Sequence, residues 1–405
     1  MRSVDRGPTS SFRQRCSSGL DRGFTRTCCD MHPHQIEPMH QHLEGESVVT
    51  RVENPMSLER GPDWSNRLVL APLTNQQSHV DGSLHEDELQ WLRTRAAGGF
   101  GMVLTCAAHV SRGGQGFPGQ LAVWSDRFLP GLARLATVLR EQGTPSAVQL
   151  HHGGMRARPE LSGVPPIAPW DDPSRGVRAM TTDEIHCLID DFASAARRVE
   201  RAGFAGVEVH GAHGYLLCQF LDARRNNRTD GYGGTFDNRS RVIFEVLEAV
   251  RAATGPSFQV GVRLSPERYG ITISESRLLA EEVMTSGLVD YLDMSLWDVS
   301  KRPHGDDSGS TLIDAFASLS RGKAKLGVAG KILSGTVAQS CLDRGADFVL
   351  IGTAAILHHD FAARVLADPA FTSLCQPVSR RHLETQHLGG AFIDYLATDW
   401  DDFVA

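Results

Sequence analysis

The chain has 405 residues, 41% hydrophobic and 22% charged, with a formal net charge of -7 and a sequence pI of about 6.2. That balance excludes the basic character of a nucleic-acid-binding protein or of one held on an anionic membrane. No apolar run approaches the roughly 20 residues that a membrane-spanning helix needs. The eight cysteines (Cys16, Cys28, Cys29, Cys106, Cys187, Cys218, Cys341 and Cys375) include no Cys-x-x-Cys pair. This spacing speaks against an iron–sulfur or zinc site and for a reducing, cytoplasmic setting.

From Met1 to about Thr50 there is no apolar periodicity, and Arg, Ser, Gly and His dominate. The expectation is a disordered N-terminal extension. The better reading of the segment is that the real start is Met31, Met39 or even Met56. His32, His34, His40 and His42 are read as incidental rather than as a metal site. From Arg67 the pattern changes. Leu68 to Leu73 is a short apolar strand stopped by proline. His85 to Ala97 has helical spacing, and the run from Gly101 to Ala107 is the next strand. Asp126 to Gln142 is amphipathic, with Leu129, Leu132, Leu135 and Leu139 on one face. Ser146 to His151 is a third strand, and Thr181-Thr182-Asp183-Glu184 is a capping box opening a helix to Ala202. The fourth strand starts at Gly206, and a helix follows from about Asn238 to Ala253.

Four more strands are expected at Phe258–Leu264, Tyr291–Leu296, Lys325–Ala329 and Phe348–Gly352. Their helices are expected at Glu275–Ser286, Ile313–Leu319, Val337–Arg344 and Phe361–Ala367. Continuous apolar strands alternating with amphipathic helices imply a parallel sheet covered on both faces. Eight such units predict a closed (β/α)8 TIM barrel. The expected organisation is an extension over 1–50, a barrel over 51–370, and a tail over 371–405 that packs on the barrel through Phe392, Tyr395, Trp400 and Phe403.

In such a barrel the residues that end the strands share one mouth, and that mouth holds the chemistry. The fourth strand delivers Glu208-Val209-His210-Gly211-Ala212-His213-Gly214-Tyr215. One histidine at a strand end is more often a satisfied loop residue. Two histidines and a tyrosine at this spacing favour a functional set. Asn75 follows the first strand, His151 and His152 end the third, and Arg263 ends the fifth, where it could simply pair with Glu267. Gly330 and Gly352 lie in the last two loops, the usual phosphate site of this architecture. The ring carries amide, hydroxyl and cationic donors and no group of carboxylates. A metal-dependent hydrolase would need a His-x-His after the first strand, where Thr74 and Asn75 stand. A Schiff-base aldolase would need a lysine on a strand, and Lys331 lies beyond one. The mouth is suited to a phosphate-bearing organic cofactor.

Several segments together resemble the Old Yellow Enzyme family of FMN-dependent ene-reductases. They are Leu70-Ala71-Pro72-Leu73-Thr74-Asn75, Gln149-Leu150-His151-His152-Gly153-Gly154, the His210–Tyr215 stretch, Asn227-Arg228-Thr229-Asp230-Gly231-Tyr232-Gly233-Gly234, Val262-Arg263-Leu264-Ser265 and Val349-Leu350-Ile351-Gly352. The resemblance runs from about Asn66 to Pro369. It implies bound FMN, reduced by NADPH or NADH, and a small-molecule enone-type substrate sharing one pocket with the nicotinamide. It implies that Ala71, Pro72, Leu73, Thr74 and Ala107 border the flavin, with Thr74 at its O4 edge. Gln149 would bind the pyrimidine edge and Arg263 would sit near N1. Gly330, Lys331, Gly352 and Thr353 would hold the phosphate. His210 and His213 would bind a carbonyl oxygen, and Tyr215 would donate the proton.

One departure stands out. The family commonly has an arginine after the glycine that ends the eighth strand, and here Thr353 follows Gly352. A hydroxyl supplies a hydrogen bond without charge, so flavin affinity is expected to fall unless Lys331 or Arg321 substitutes. Two other readings follow: oxidative demethylation of a small amine on the same barrel, or a catalytically silent barrel. Whether the chain forms a homo-oligomer is left open by the sequence. No membrane, nucleic-acid or metal partner is expected.

Overall fold

The computed structural model describes residues 50–305 and 309–405. The expected disordered extension, with its histidines and Cys16, Cys28 and Cys29, lies outside the described residues. The described residues form ten strands: β1 Leu68–Leu70, β2 Met102–His109, β3 Ser146–His151, β4 Ile167–Ala168, β5 Arg178–Ala179, β6 Gly206–Gly211, β7 Gln259–Leu264, β8 Tyr291–Ser295, β9 Lys325–Ala329 and β10 Phe348–Ile351. Eight of them close a barrel in the order β1-β10-β9-β8-β7-β6-β3-β2, every pair parallel. This is the (β/α)8 architecture that the alternating pattern requires. β4 and β5 form a separate two-stranded ribbon in the loop after β3, which the sequence pattern did not reveal.

The barrel strands are buried on both faces, apart from Lys325 at the start of β9, which is why they read as apolar runs without alternation. The helices behave as their caps direct. Thr181 and Glu184 form the reciprocal capping box of the helix Thr182–Ala202. Thr272 and Glu275 do the same for Ile273–Thr285, so that helix starts two residues earlier than its apolar spacing suggests. The amino end of the barrel is plugged by Trp64. Its ring meets Tyr291 at 5.5 Å and Phe348 at 5.0 Å, and its indole N–H donates to Gln259 Oε1 at 3.2 Å.

The C-terminal segment carries two helices, Arg380–Thr385 and Gly390–Asp399. Phe392 stands edge-on to Trp91, ring centroids 5.1 Å apart. Arg95 is fully buried in the helix Glu86–Ala97 and stacks on Trp91 at 3.4 Å. Its guanidinium donates to the carbonyls of Ala355 and Gln386 at 3.1 and 2.7 Å. One buried cation thus ties the tail to the helix that follows β10.

Backbone strain is concentrated at one end. Of the eight described non-glycine residues with positive φ, six (Gln76, His213, Arg268, Tyr269, Trp297 and Lys331) follow a barrel strand, and the other two, His387 and Asp402, lie in the C-terminal segment. Strained residues of this kind cluster at functional sites. No helix among the described residues is long and apolar enough to cross a membrane.

Candidate functional site

Residues two apart on a strand share a face, so Glu208 and His210 of β6 both enter the barrel interior. The backbone N–H of Ala212 donates to His210 Nδ1 at 3.2 Å. That leaves the ring proton on Nε2, which lies 3.3 Å from His213 Nδ1. His213 Nε2 lies 2.8 Å from Ser295 Oγ at the end of β8. The tautomers that satisfy this chain put the proton on Nε2 of each ring, directed to His213 Nδ1 and to Ser295 Oγ, and a ligand oxygen would take these protons in exchange for those two contacts. The backbone N–H of His213 donates to Ser265 Oγ at 3.0 Å and fixes the turn. Burial holds both imidazoles well below the usual histidine pKa, and Arg263 pushes the same way. They are therefore neutral donors at physiological pH.

Tyr215 caps the short helix Leu216–Leu221, its ring centroid 5.2 Å from His210 and 4.3 Å from His151. The Arg156 guanidinium lies 5.4 Å from the phenol ring and donates to the His213 carbonyl at 2.9 Å. Burial raises the Tyr215 pKa and Arg156 partly offsets it, so the hydroxyl keeps its proton. Trp297 borders the group, edge-on to His213 at 5.3 Å. Trp124 does not: it packs on Phe128 and Arg127.

Below this layer are the two flavin-edge residues that the resemblance implies. Gln149 Nε2 donates to Glu208 Oε1 at 2.7 Å, and the two are register partners on β3 and β6. Arg263 Nε approaches Asp293 Oδ2 at 2.9 Å, and those two are register partners on β7 and β8. Arg263 does not pair with Glu267, whose carboxylate instead holds Lys301 at 2.7 Å. The remaining guanidinium N–H groups make only long contacts, to Pro72 O at 3.5 Å and Ser295 Oγ at 3.4 Å. They keep capacity for a ligand. The β2–β3 register slips between Leu104 and Ala107, and the Ala107 carbonyl accepts from Gln120 at 2.9 Å. Bulges of this kind re-aim backbone beside a site. Thr74 and Leu73 are half-buried, and Ala71 and Pro72 are buried beside Arg263.

After β9, Gly330 adopts φ +151° and Lys331 φ +49°. A Cβ on Gly330 would come within 2.6 Å of the Asp298 nitrogen, so the loop needs glycine there. The Lys331 side chain is 70% exposed and pairs with Asp298 at 3.3 Å. Arg321 is held by Asp347 at 2.8 Å, at the amino end of β10. Arg321 is therefore not placed to replace the charge that Thr353 lacks.

The expectation that no carboxylates accompany the ring needs correction. Glu208 and Asp293 are both fully buried inside the barrel. Burial, then repulsion from Asp293, pushes Glu208 up to about 8. Burial raises Asp293 to about 6, against the pull of Arg263. Reading motifs as linear strings missed Asp293 and Ser295 and gave Glu208, His151 and Arg156 no role. A period-two reading of β6 and β8 places Glu208 with His210 and Asp293 with Ser295. A surface cavity of about 660 Å³ includes Gly61, Arg140, Glu200 and Phe258 and none of these site residues.

The model of the NADH:flavin oxidoreductase / NADH oxidase family matches residues 54–368. The chain belongs to this family, the Old Yellow Enzyme family. It is 34% identical over 343 residues to the probable NADH-dependent flavin oxidoreductase YqiG of Bacillus subtilis, covering 82% of this chain and 89% of that one. It is 33% identical to the NADPH dehydrogenase of Bacillus velezensis, covering 77% and 93%. It spans only 36% of the length of another relative, the NADH:fumarate oxidoreductase of Klebsiella pneumoniae, at 33% identity. Among solved structures it is similar to morphinone reductase, with a TM-score of 0.71 at 27% identity over 87% of this chain and 98% of that one. The Old Yellow Enzyme homologue from Zymomonas mobilis gives 0.70 at 27% identity, over 82% and 96%. The protein is an NAD(P)H:flavin oxidoreductase with FMN as its cofactor. The donors fit that group: an amide and a guanidinium with spare N–H capacity on the barrel floor, and a glycine-dependent loop after β9.

Proposed function

We propose that this Old Yellow Enzyme family member reduces the C=C bond of α,β-unsaturated carbonyl compounds with electrons from NADPH or NADH. The observation that carries the reading is the convergence of His210 and His213 at 3.3 Å beside the protonated phenol of Tyr215. When bound, FMN supplies hydride at N5. Gln149 and Arg263 would hold its pyrimidine edge, and Thr74 and Ala107 would border its reactive side. Backbone groups of Gly330, Lys331 and Gly352, with Thr353, would hold its phosphate.

The substrate carbonyl oxygen accepts from His210 Nε2 and His213 Nε2. Negative charge grows on that oxygen as the β-carbon is attacked, and preorganised neutral donors stabilise it without reorganising. Tyr215 then transfers its hydroxyl proton to the α-carbon. Burial favours this role, because it keeps the proton on the phenol until the carbanion forms. Nicotinamide and substrate use the same pocket in turn.

The test is anaerobic stopped-flow on the purified holoenzyme. NAD(P)H bleaches the flavin absorbance, and a panel of cyclic and open-chain enones restores it. Reoxidation by oxygen alone, with no acceleration by any enone, removes this reading. Bleaching by small tertiary amines without NAD(P)H would instead place the protein with the demethylases.

A further inference from the structure

The floor of the site holds three ionisable side chains that the proposed hydride and proton transfers do not use in full. Asp293, Glu208 and Arg263 are at most 7% exposed and come from adjacent strands. Arg263 Nε and Asp293 Oδ2 are 2.9 Å apart, yet both are among the buried atoms without a hydrogen bond. Asp293 Oδ1 and Glu208 Oε2 are likewise unpartnered. The Tyr291 hydroxyl faces Glu208 from β8. It reaches there because Gly261 on β7 has no side chain: a Cβ at Gly261 would lie 2.1 Å from the Tyr291 ring. The charged and titratable groups facing the pair are thus Arg263 from β7 and Tyr291 from β8, with the Gln149 amide on Glu208 from β3.

Charge counting decides what this cluster can do. Two ionised carboxylates beside one guanidinium leave one negative charge buried, at a cost of several kcal/mol. One proton shared by the pair makes the cluster neutral. Two-electron reduction of the cofactor adds one negative charge beside Gln149 and Arg263. The floor then becomes neutral again only if the carboxyl pair takes a second proton, which leaves Arg263 free to face the new charge.

We propose that Glu208 and Asp293 form a buried proton store for the flavin: Glu208 stays protonated, and Asp293 takes up a proton on reduction and releases it on reoxidation. The balance is complete. Hydride carries two electrons and one proton from the nicotinamide to the cofactor, and solvent supplies the second proton to the Asp293 carboxylate. When hydride leaves for the acceptor, Asp293 returns its proton to solvent, separately from the proton that Tyr215 delivers. The raised pKa values of both carboxyls agree with this order of occupancy.

The inference rests on the placement of the flavin edge at Gln149 and Arg263. The experiment is spectroelectrochemistry of the holoenzyme across neutral pH, above about pH 6. Each proton bound per two electrons adds about 30 mV per pH unit to the slope of the midpoint potential. The wild type and Glu208→Gln are expected to bind two protons per two electrons, because the amide mimics the neutral carboxyl. The double variant Glu208→Gln/Asp293→Asn is expected to bind one. Two protons in the double variant, or one in the wild type, overturn the proposal. Should the double variant not fold, redox-difference infrared spectra of the wild type and Glu208→Gln serve instead. Both must gain one protonated-carboxyl band on reduction, and its absence overturns the proposal. Gln149→Leu separates the two levels. If it changes neither FMN affinity nor potential, the flavin placement itself is wrong. If it changes them while the double variant keeps two protons, only the proton store is wrong.

Discussion

Thr353→Arg isolates the chain's departure from its family. Thr353 is the residue after Gly352 at the end of β10, and neither of the two cations that the sequence offers in its place is free to compensate for its lack of charge. Lys331 is turned outward onto Asp298 at 3.3 Å, and Arg321 is held at the other end of the barrel by Asp347. A charge-assisted hydrogen bond contributes roughly 1.5–3 kcal/mol. At about 1.4 kcal/mol per factor of ten, FMN should bind the variant about tenfold to a hundredfold more tightly. The assay is titration of apoprotein with FMN, read by quenching of flavin fluorescence, at low and high salt. The gain should shrink as salt rises, because a partly exposed charge is screened. An unchanged dissociation constant refutes the reasoning. So does an equal gain from Thr353→Gln, which would mean that reach rather than charge was missing.

Tyr215→Phe should slow reoxidation by an enone by about 10²–10⁴-fold, the usual contribution of a positioned general acid, and leave reduction by NAD(P)H nearly unchanged. Equal slowing of both half-reactions in stopped-flow would remove Tyr215 as proton donor. His210→Ala or His213→Ala should each weaken phenolate binding roughly tenfold to a hundredfold, measured by flavin absorbance perturbation. Unchanged affinity would count against their shared role. Arg95→Ala should cost roughly 2–4 kcal/mol in urea unfolding and expose the tail after Asp368 to protease, because two carbonyls lose their buried donor. A midpoint equal to wild type would show that the tail is held by apolar packing alone. Glu208 gives a pH test. Burial raises its folded pKa to about 8 from the usual 4.5. The stability it contributes is therefore complete below about 4.5 and is lost as pH rises toward 8. Apoprotein Glu208→Gln should lose less stability than wild type over that window, and parallel profiles would contradict the assignment.

Much of this protein was legible in its sequence. Strands buried on both faces are apolar throughout, so the runs at Ser146–His151 and Lys325–Ala329 announced themselves within a residue of their bounds. The capping box at Thr181 and Glu184 set a helix start by local hydrogen bonding alone. The stretch from His210 to Tyr215 could be read as a site because its residues are contiguous. The tertiary structure decided what depends on neighbours across the sheet. Register alone puts Gln149 against Glu208 and Arg263 against Asp293, and no linear motif encodes which strand lies beside which. Closure of the barrel brings Ser295 to His213 from 82 residues away. Lys331 follows a strand as an anion-binding lysine would, yet a left-handed backbone turns its side chain to Asp298 and solvent. Local propensity and periodicity are properties of adjacent residues. The charge balance of the site floor is a property of four strands packed side by side.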